Sequence, residues 1–217
     1  MQDSKHISKD RLYALFSQTR LRGYVDCAEH EANLALIGRI SHKIGILEII
    51  LRNSIDSIIK AQNPLWLESL PSGLELKMPK EINFTRDKIV SIQSLGFWVR
   101  VVEHYRIHNR VFGVEFLDNL DLRKYYVKNP HYFYSTSIMR HHKVSAILQL
   151  LRLIRNRAFH FENLYKFTDN GYPRLNVKIT NKYKESVYIA ILPNKITMFL
   201  NDLIASFDKD LICYAEK

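Results

Sequence analysis

Residues Leu148 to Tyr165 read LQLLRLIRNRAFHFENLY, an apolar helical pattern that runs into Arg155-Asn156-Arg157-Ala158-Phe159-His160. Extended backwards, the same pattern places Val144, Ile147, Leu151, Ile154, Ala158 and Phe161 on one seam in steps of three and four. Ser135 or Ser137 is the expected N-cap. At about 100° per residue, Arg155 flanks the seam, while Asn156 and His160 share a face turned away from it. Arg155 and His160 then stand about 140° apart on the helix. A helix with such a seam needs neighbours to cover it, so the flanking sequence decides the fold.

Towards the N-terminus, Asp10–Tyr24 has the spacing of a first amphipathic helix, with Leu12, Leu15, Phe16 and Leu21 on one face. Asp26 is a candidate N-cap for a much longer helix reaching about Ala61. Its seam is Ile37, Ile40, Ile44, Leu47, Leu51, Ile55 and Ile58, the pattern of a bundle helix. Glu48 and Arg52, four apart, are expected to pair on its surface. Asn63-Pro64 stops this helix, and 64–84, with Pro71, Gly73 and Pro79, reads as a loop. Thr85 caps a further expected helix over 86–109, with Gly96 inside it and Phe97 and Trp98 as packing anchors. Residues 111–134 are irregular. There Tyr125, Tyr126, Tyr132, Phe133 and Tyr134 alternate with Lys124, Lys128 and His131. Such interleaving serves either to stack single-stranded bases or to pin the loop to the bundle, and the second is the expectation.

After Asn170-Gly171 the apolar period changes to two. RLNVKIT and ESVYIAIL flank Asn181–Lys184 as an expected β-hairpin, and Pro193-Asn194 opens a last helix to about Ile212. The expected fold is mainly α, an up-and-down helical bundle with a C-terminal β-hairpin and final helix. Residues 1–167 form the bundle that carries the arginine–histidine stretch, and 168–217 the hairpin plus helix packed on the same domain.

A chain of 217 residues with 47% hydrophobic and 25% charged residues is of ordinary globular composition and can bury a substantial core. Seven glycines and six prolines are few for a sandwich or barrel. Two cysteines far apart, Cys27 and Cys213, give neither a zinc module nor a disulfide framework, which suits a reducing cytoplasm. The N-terminus, MQDSKHISKDRLY, lacks the apolar core of a signal peptide, and the longest apolar run, Ile44–Leu51, is too short to span a membrane. His141 and His142 have no acidic or cysteine companions nearby, so no metal site is expected.

The net charge of +10 is concentrated around the motif. Between Arg100 and Arg157 eleven basic residues face four acidic ones, an excess of seven. That placement favours a polyanionic partner, with Arg152, Arg157, Arg140, Lys143, Lys124 and Lys128 as candidate RNA contacts.

Arginine, asparagine and histidine suit phosphodiester chemistry without a metal. Arginine stays charged and offers a fork of donors to a phosphate, whereas histidine titrates near neutral pH and moves protons. The Arg-x4-His spacing alone is weak, because roughly 0.6 matches are expected by chance in a chain of this composition. The 140° divergence is too wide for one compact site on a single helix unless the long arginine wraps round or something else faces this surface. Two copies facing each other across a two-fold axis would pool two arginines and two histidines.

Three segments in order, LEIILRNSID (47–56), LGFWVRVV (95–102) and RNRAFHFEN (155–163), together with TRLRGY (19–24) and PLWL (64–67), resemble the Abi-like abortive-infection proteins of the HEPN superfamily. The resemblance covers about residues 10–166. It implies a helical bundle that dimerises into a metal-independent endoribonuclease without a cofactor. In that likeness Arg155 and His160 are the catalytic pair, Asn156 supports them, and Glu48, Arg52 and Asn53 hold the motif in place. It also implies a bacterial defence toxin restrained by an antitoxin protein, a regulatory RNA or latency. Where many relatives carry a second histidine this chain has Phe161, and the tyrosine that some relatives modify two residues after the histidine is replaced by Glu162.

A competing reading is a non-catalytic RNA-binding or scaffold protein that keeps the bundle for dimerisation. A DNA regulator has little support, since the basic residues do not cluster on one short recognition helix. Nucleotide-driven chemistry has less, because no glycine-rich phosphate loop occurs.

Overall fold

A computed structural model describes residues 7–216. The first six residues, part of the stretch read for a leader, and Lys217 lie outside them. The chain is mainly α-helical, with one small two-stranded antiparallel sheet.

The fold is organised around α3 (Cys27–Lys60), 34 residues and about 51 Å long. The Asp26 carboxylate accepts from the Glu29 N–H at 2.7 Å and satisfies an otherwise orphaned donor of the first turn. Ile37, Ile40, Ile44, Leu47, Leu51 and Ile55 are buried as the periodicity requires, and Ile59 takes the last core position in place of the half-buried Ile58. Around α3 pack α4 (Arg86–Ile92), α5 (Leu95–Tyr105), α6 (His108–Val111), α8 (Arg140–Phe159), α9 (Ile196–Phe207) and α10 (Leu211–Ala215). The short α7 (Val114–Asn119) lies against α8.

Three expected helices are broken. The first divides at Ser17 into α1 (Lys9–Phe16) and α2 (Gln18–Leu21), because Ser17 adopts φ 65° and caps α2. Leu15 and Phe16 consequently stay exposed, and only Leu21 reaches the core. The helix expected over 86–109 divides at Gln93–Ser94. Ser94 caps α5 through the Phe97 N–H, and the Gln93 amide accepts from Lys77 N and donates to Lys77 O. Gly96 is thus in the first turn of α5, not a helix interior. The last helix ends at Phe207, where Asp208 turns to extended backbone before α10 begins.

The hairpin forms as expected, β1 (Asn176–Thr180) against β2 (Ser186–Ala190), in the register Val177↔Ile189 and Ile179↔Val187. Val177 and Ile179 face inward, and β1 packs on α8. One continuous core joins α3, α8, the hairpin and α9. The aromatic loop divides by role. Tyr125, Tyr126 and Phe133 are buried and pin it, while Tyr132 and Tyr134 stand in solvent. Burial and the Asp202 carboxylate, which accepts from the Tyr125 hydroxyl at 2.7 Å, push the Tyr125 pKa upward. Among the described residues no helix is long and apolar enough to cross a membrane.

Candidate functional site

Helix α8 presents the motif. Val144, Ile147, Leu151, Ile154 and Ala158 are fully buried, whereas Phe161 is half exposed and lies beyond the helix, contrary to its expected seam position. The reason is how α8 ends. His160 is the C-cap, Phe161 takes φ 53°, Phe161 N donates to Ala158 O and Glu162 N to Arg157 O. This is the Schellman arrangement, with phenylalanine at the left-handed position usually held by glycine, at a steric cost of about 1–2 kcal/mol. Neither serine caps the other end. Met139 is the N-cap, and its N–H donates to His142 Nδ1 at 3.2 Å.

The strained turn is held from outside. Arg20 donates to Phe161 O at 3.0 Å, and buried Asn33 donates to Glu162 O and accepts from Leu164 N. Asn163 donates to Gly23 O and to Glu29. These residues were not singled out from the sequence. Their signal was a polar side chain, Asn33, one turn ahead of Ile37 on the buried side of α3.

Arg155 does not stand alone. Its Nε donates to Glu48 Oε1 at 2.8 Å, and its guanidinium lies 5.1 Å from the Phe159 ring centre. Glu48 therefore pairs across helices, and the expected surface pair with Arg52 does not form. Arg52 instead donates to Ser91 O at 3.1 Å and touches exposed Asn53 at 3.4 Å. Among the described residues neither terminal nitrogen of Arg155 meets a protein acceptor. Arg155, Asn156 and Arg152 line a cleft of about 170 Å³ with Ser94, Leu95 and Gly96 of the α5 start. At Gly96 a Cβ would lie 3.6 Å from Arg152 Cδ.

His160 is exposed but does not line that cleft. Within one chain, arginine and histidine therefore face different spaces, as the helical step implies. The sequence neighbours of His160, Phe159 and Phe161, are 44% and 51% exposed.

Of the six candidate RNA contacts, Arg152 and Lys128 make no hydrogen bond or ion pair with a described residue. Arg140 forks onto Asp118 at 2.6 and 2.7 Å, Lys124 pairs with Asp202 at 2.8 Å, and Lys143 donates to Leu117 O and Leu120 O. Arg157 pairs with Glu162 at 2.9 Å, and its Nε is buried without a partner. Burial and nearby Arg174 lower its pKa against the pull of Glu162. Among the described residues no group of three or more histidine, cysteine or acidic side chains is placed to hold a metal ion. The larger cavities lie away from the motif, beside α7 and α9, beside the turn after α2, and at the hairpin.

Comparison of the chain with protein-family models, with curated proteins and with solved structures returns no match in any of the three.

Proposed function

We propose that this protein is a metal-independent endoribonuclease of the bacterial abortive-infection type, a HEPN-like bundle acting as a cytoplasmic homodimer. The observation that carries the reading is an exposed imidazole on a strained helix cap, one turn from an arginine that Glu48 orients through Nε alone. That bond leaves the terminal guanidinium nitrogens for a phosphate. The segments that carry the family resemblance also meet one another. Arg20 and Gly23 hold the turn after His160, Glu48 holds Arg155, and Leu95 and Gly96 line one cleft with Arg155 and Asn156. Asp56 binds both the Trp66 indole and Arg86.

The reaction is transesterification by the 2′-OH of RNA, the group that distinguishes RNA from DNA. Neutral His160 takes the 2′-OH proton, and that oxygen attacks the adjacent phosphorus. The bond to the 5′ oxygen breaks as the partner's His160, in cationic form, gives that oxygen a proton. Acid–base help of this kind contributes about 10²–10⁴-fold. Arg155 of each chain stabilises the charge gathering on the phosphate oxygens, and Asn156 orients a histidine or bonds a phosphate oxygen. Products are a 2′,3′-cyclic phosphate and a 5′-OH. Exposed Phe159 and Phe161 around His160 supply apolar surface for the second copy. An antitoxin protein or regulatory RNA restrains the enzyme in the cell.

Purified protein should cleave single-stranded RNA in EDTA, and His160→Ala should abolish product. Loss of cleavage in EDTA, or wild-type rates in His160→Ala, overturns the mechanism. The second reading, RNA binding without cleavage, is favoured by the separation of His160 from the Arg155 cleft within one chain. It expects salt-sensitive binding with no product from either protein.

A further inference from the structure

The hairpin and the tyrosine loop build a second cavity that the proposed chemistry does not use. About 620 Å³ in volume, it is lined chiefly by Lys128, Asn170, Tyr172, Asn176, Val187 and Tyr188. That size suits a small planar ligand with its attachments.

Its walls are held by a buried clamp and by bonds nearer the surface. Asn129, buried beside Lys128, donates to Leu122 O and Ala190 O and accepts from Ala190 N, which clamps the loop to β2. The Tyr172 ring meets Tyr126 edge-on with centres 5.1 Å apart, and its hydroxyl donates to Tyr188 O. Asn176 uses its amide N–H on Pro173 O, and its Oδ1 accepts from no described residue. The Tyr188 ring, 51% exposed, stands on the outer face of the hairpin directly opposite Lys178. No carboxylate lines the cavity; Lys128 lines it, and Lys178 is the register partner of Tyr188 on the neighbouring strand.

An exposed ring, amide edges and flanking lysines without a carboxylate match a nucleobase attached to phosphates. We infer that this cavity seats an unpaired base of single-stranded RNA, stacked on Tyr188, with Lys128 and Lys178 on the neighbouring phosphates. The inference rests on the nuclease reading for its choice of RNA. A base in a duplex is unavailable to such a cavity, whereas a splayed base stacks on an aromatic side chain. The cavity then acts as a docking subsite that holds the strand at a distance from the bond to be cut.

The test is fluorescence anisotropy with a short labelled single-stranded RNA of mixed sequence, in the full-length His160→Ala protein so that the strand stays intact. Tyr188→Ala should weaken binding by about five- to a hundred-fold, the size of one lost stacked base. Tyr188→Phe, which keeps the ring, should restore it. Lys128→Ala should reduce the dependence of binding on salt by about one phosphate contact. Thermal unfolding of each variant checks that the hairpin is intact, and Lys128→Glu on the exposed loop provides an independent variant. If Tyr188→Ala and Lys128→Glu bind as tightly as the parent, the cavity is not an RNA subsite although the nuclease reading stands. If the parent binds no RNA, the nuclease reading fails and takes the subsite with it.

Discussion

Glu48 acts on Arg155 through one contact, from Nε, so what it contributes is direction. Both side chains are about one-third exposed, and a pair in that setting is worth roughly 0–1 kcal/mol of stability. Its effect on the proposed reaction is much larger, because a misplacement of about 1 Å can cost 10²-fold in rate. Glu48→Ala is therefore expected to unfold within about 1 kcal/mol of the wild type while cleaving RNA some 10–100-fold more slowly. Glu48→Gln retains an acceptor for Nε and should recover most of that loss. Denaturant unfolding beside single-turnover cleavage separates the two effects. An alanine variant that cuts at full rate would mean that Glu48 has no part in placing Arg155. The same residue marks a boundary of what sequence can reveal. Glu48 lies four positions before Arg52 and also one helix away from Arg155, and spacing alone favours the nearer partner. Burial and the approach of α8 to α3 select the distant one.

Among the elements, α8 is the most heavily committed, with its core seam between two specialised ends. Its start depends on a histidine. His142 Nδ1 accepts the Met139 N–H, so the imidazole must be unprotonated there. Burial, with His141 and His108 close by, lowers the His142 pKa to about 4, and Arg140 and Lys143 add positive charge to the same turn. A histidine whose pKa is lower folded than unfolded contributes stability in full above about pH 6.5. That contribution is lost as pH falls towards 4, since the unfolded chain binds the proton first. His142→Gln keeps an acceptor at this third helical position and removes the titration. Thermal unfolding from pH 7 to 4.5 should therefore fall less steeply for the variant, though not become flat, because His108, His141 and His30 are lowered too. Equal slopes would show that His142 does not couple α8 to pH. Elements such as α3 were legible because cap, seam and stop agree along one stretch. The breaks at Ser17, Gln93 and Asp208 were not, since apolar spacing continues across each of them. At Gln93 the deciding bonds go to Lys77, sixteen residues away. At the site, the 140° divergence of Arg155 and His160 followed from helical geometry. The role of Asn33 did not, because its partners Glu162 and Leu164 are far away in sequence.

For the whole molecule, the proposed mechanism calls for two copies, since Arg155 lines a cleft that His160 does not line. Two-fold symmetry makes this testable without a structure of the dimer. With His160 of one chain as base and His160 of the other as acid, a mixed dimer carrying one His160→Ala chain lacks half of the proton relay. When wild type and variant are co-expressed at equal levels and pair at random, about a quarter of the dimers are fully wild type. Cleavage per total protein should then fall to about a quarter of the wild-type value, and continue as the square of the wild-type fraction. Independent protomers would give a straight line through one half instead. A linear titration, or a protein that sediments as a monomer while cutting RNA, would move the chemistry back into a single chain. His160 and Arg155 would then have to meet by rearrangement of the Phe161 turn, which Arg20, Asn33 and Asn163 tie to α2 and α3. Those four bonds make the two-chain route the less costly of the two.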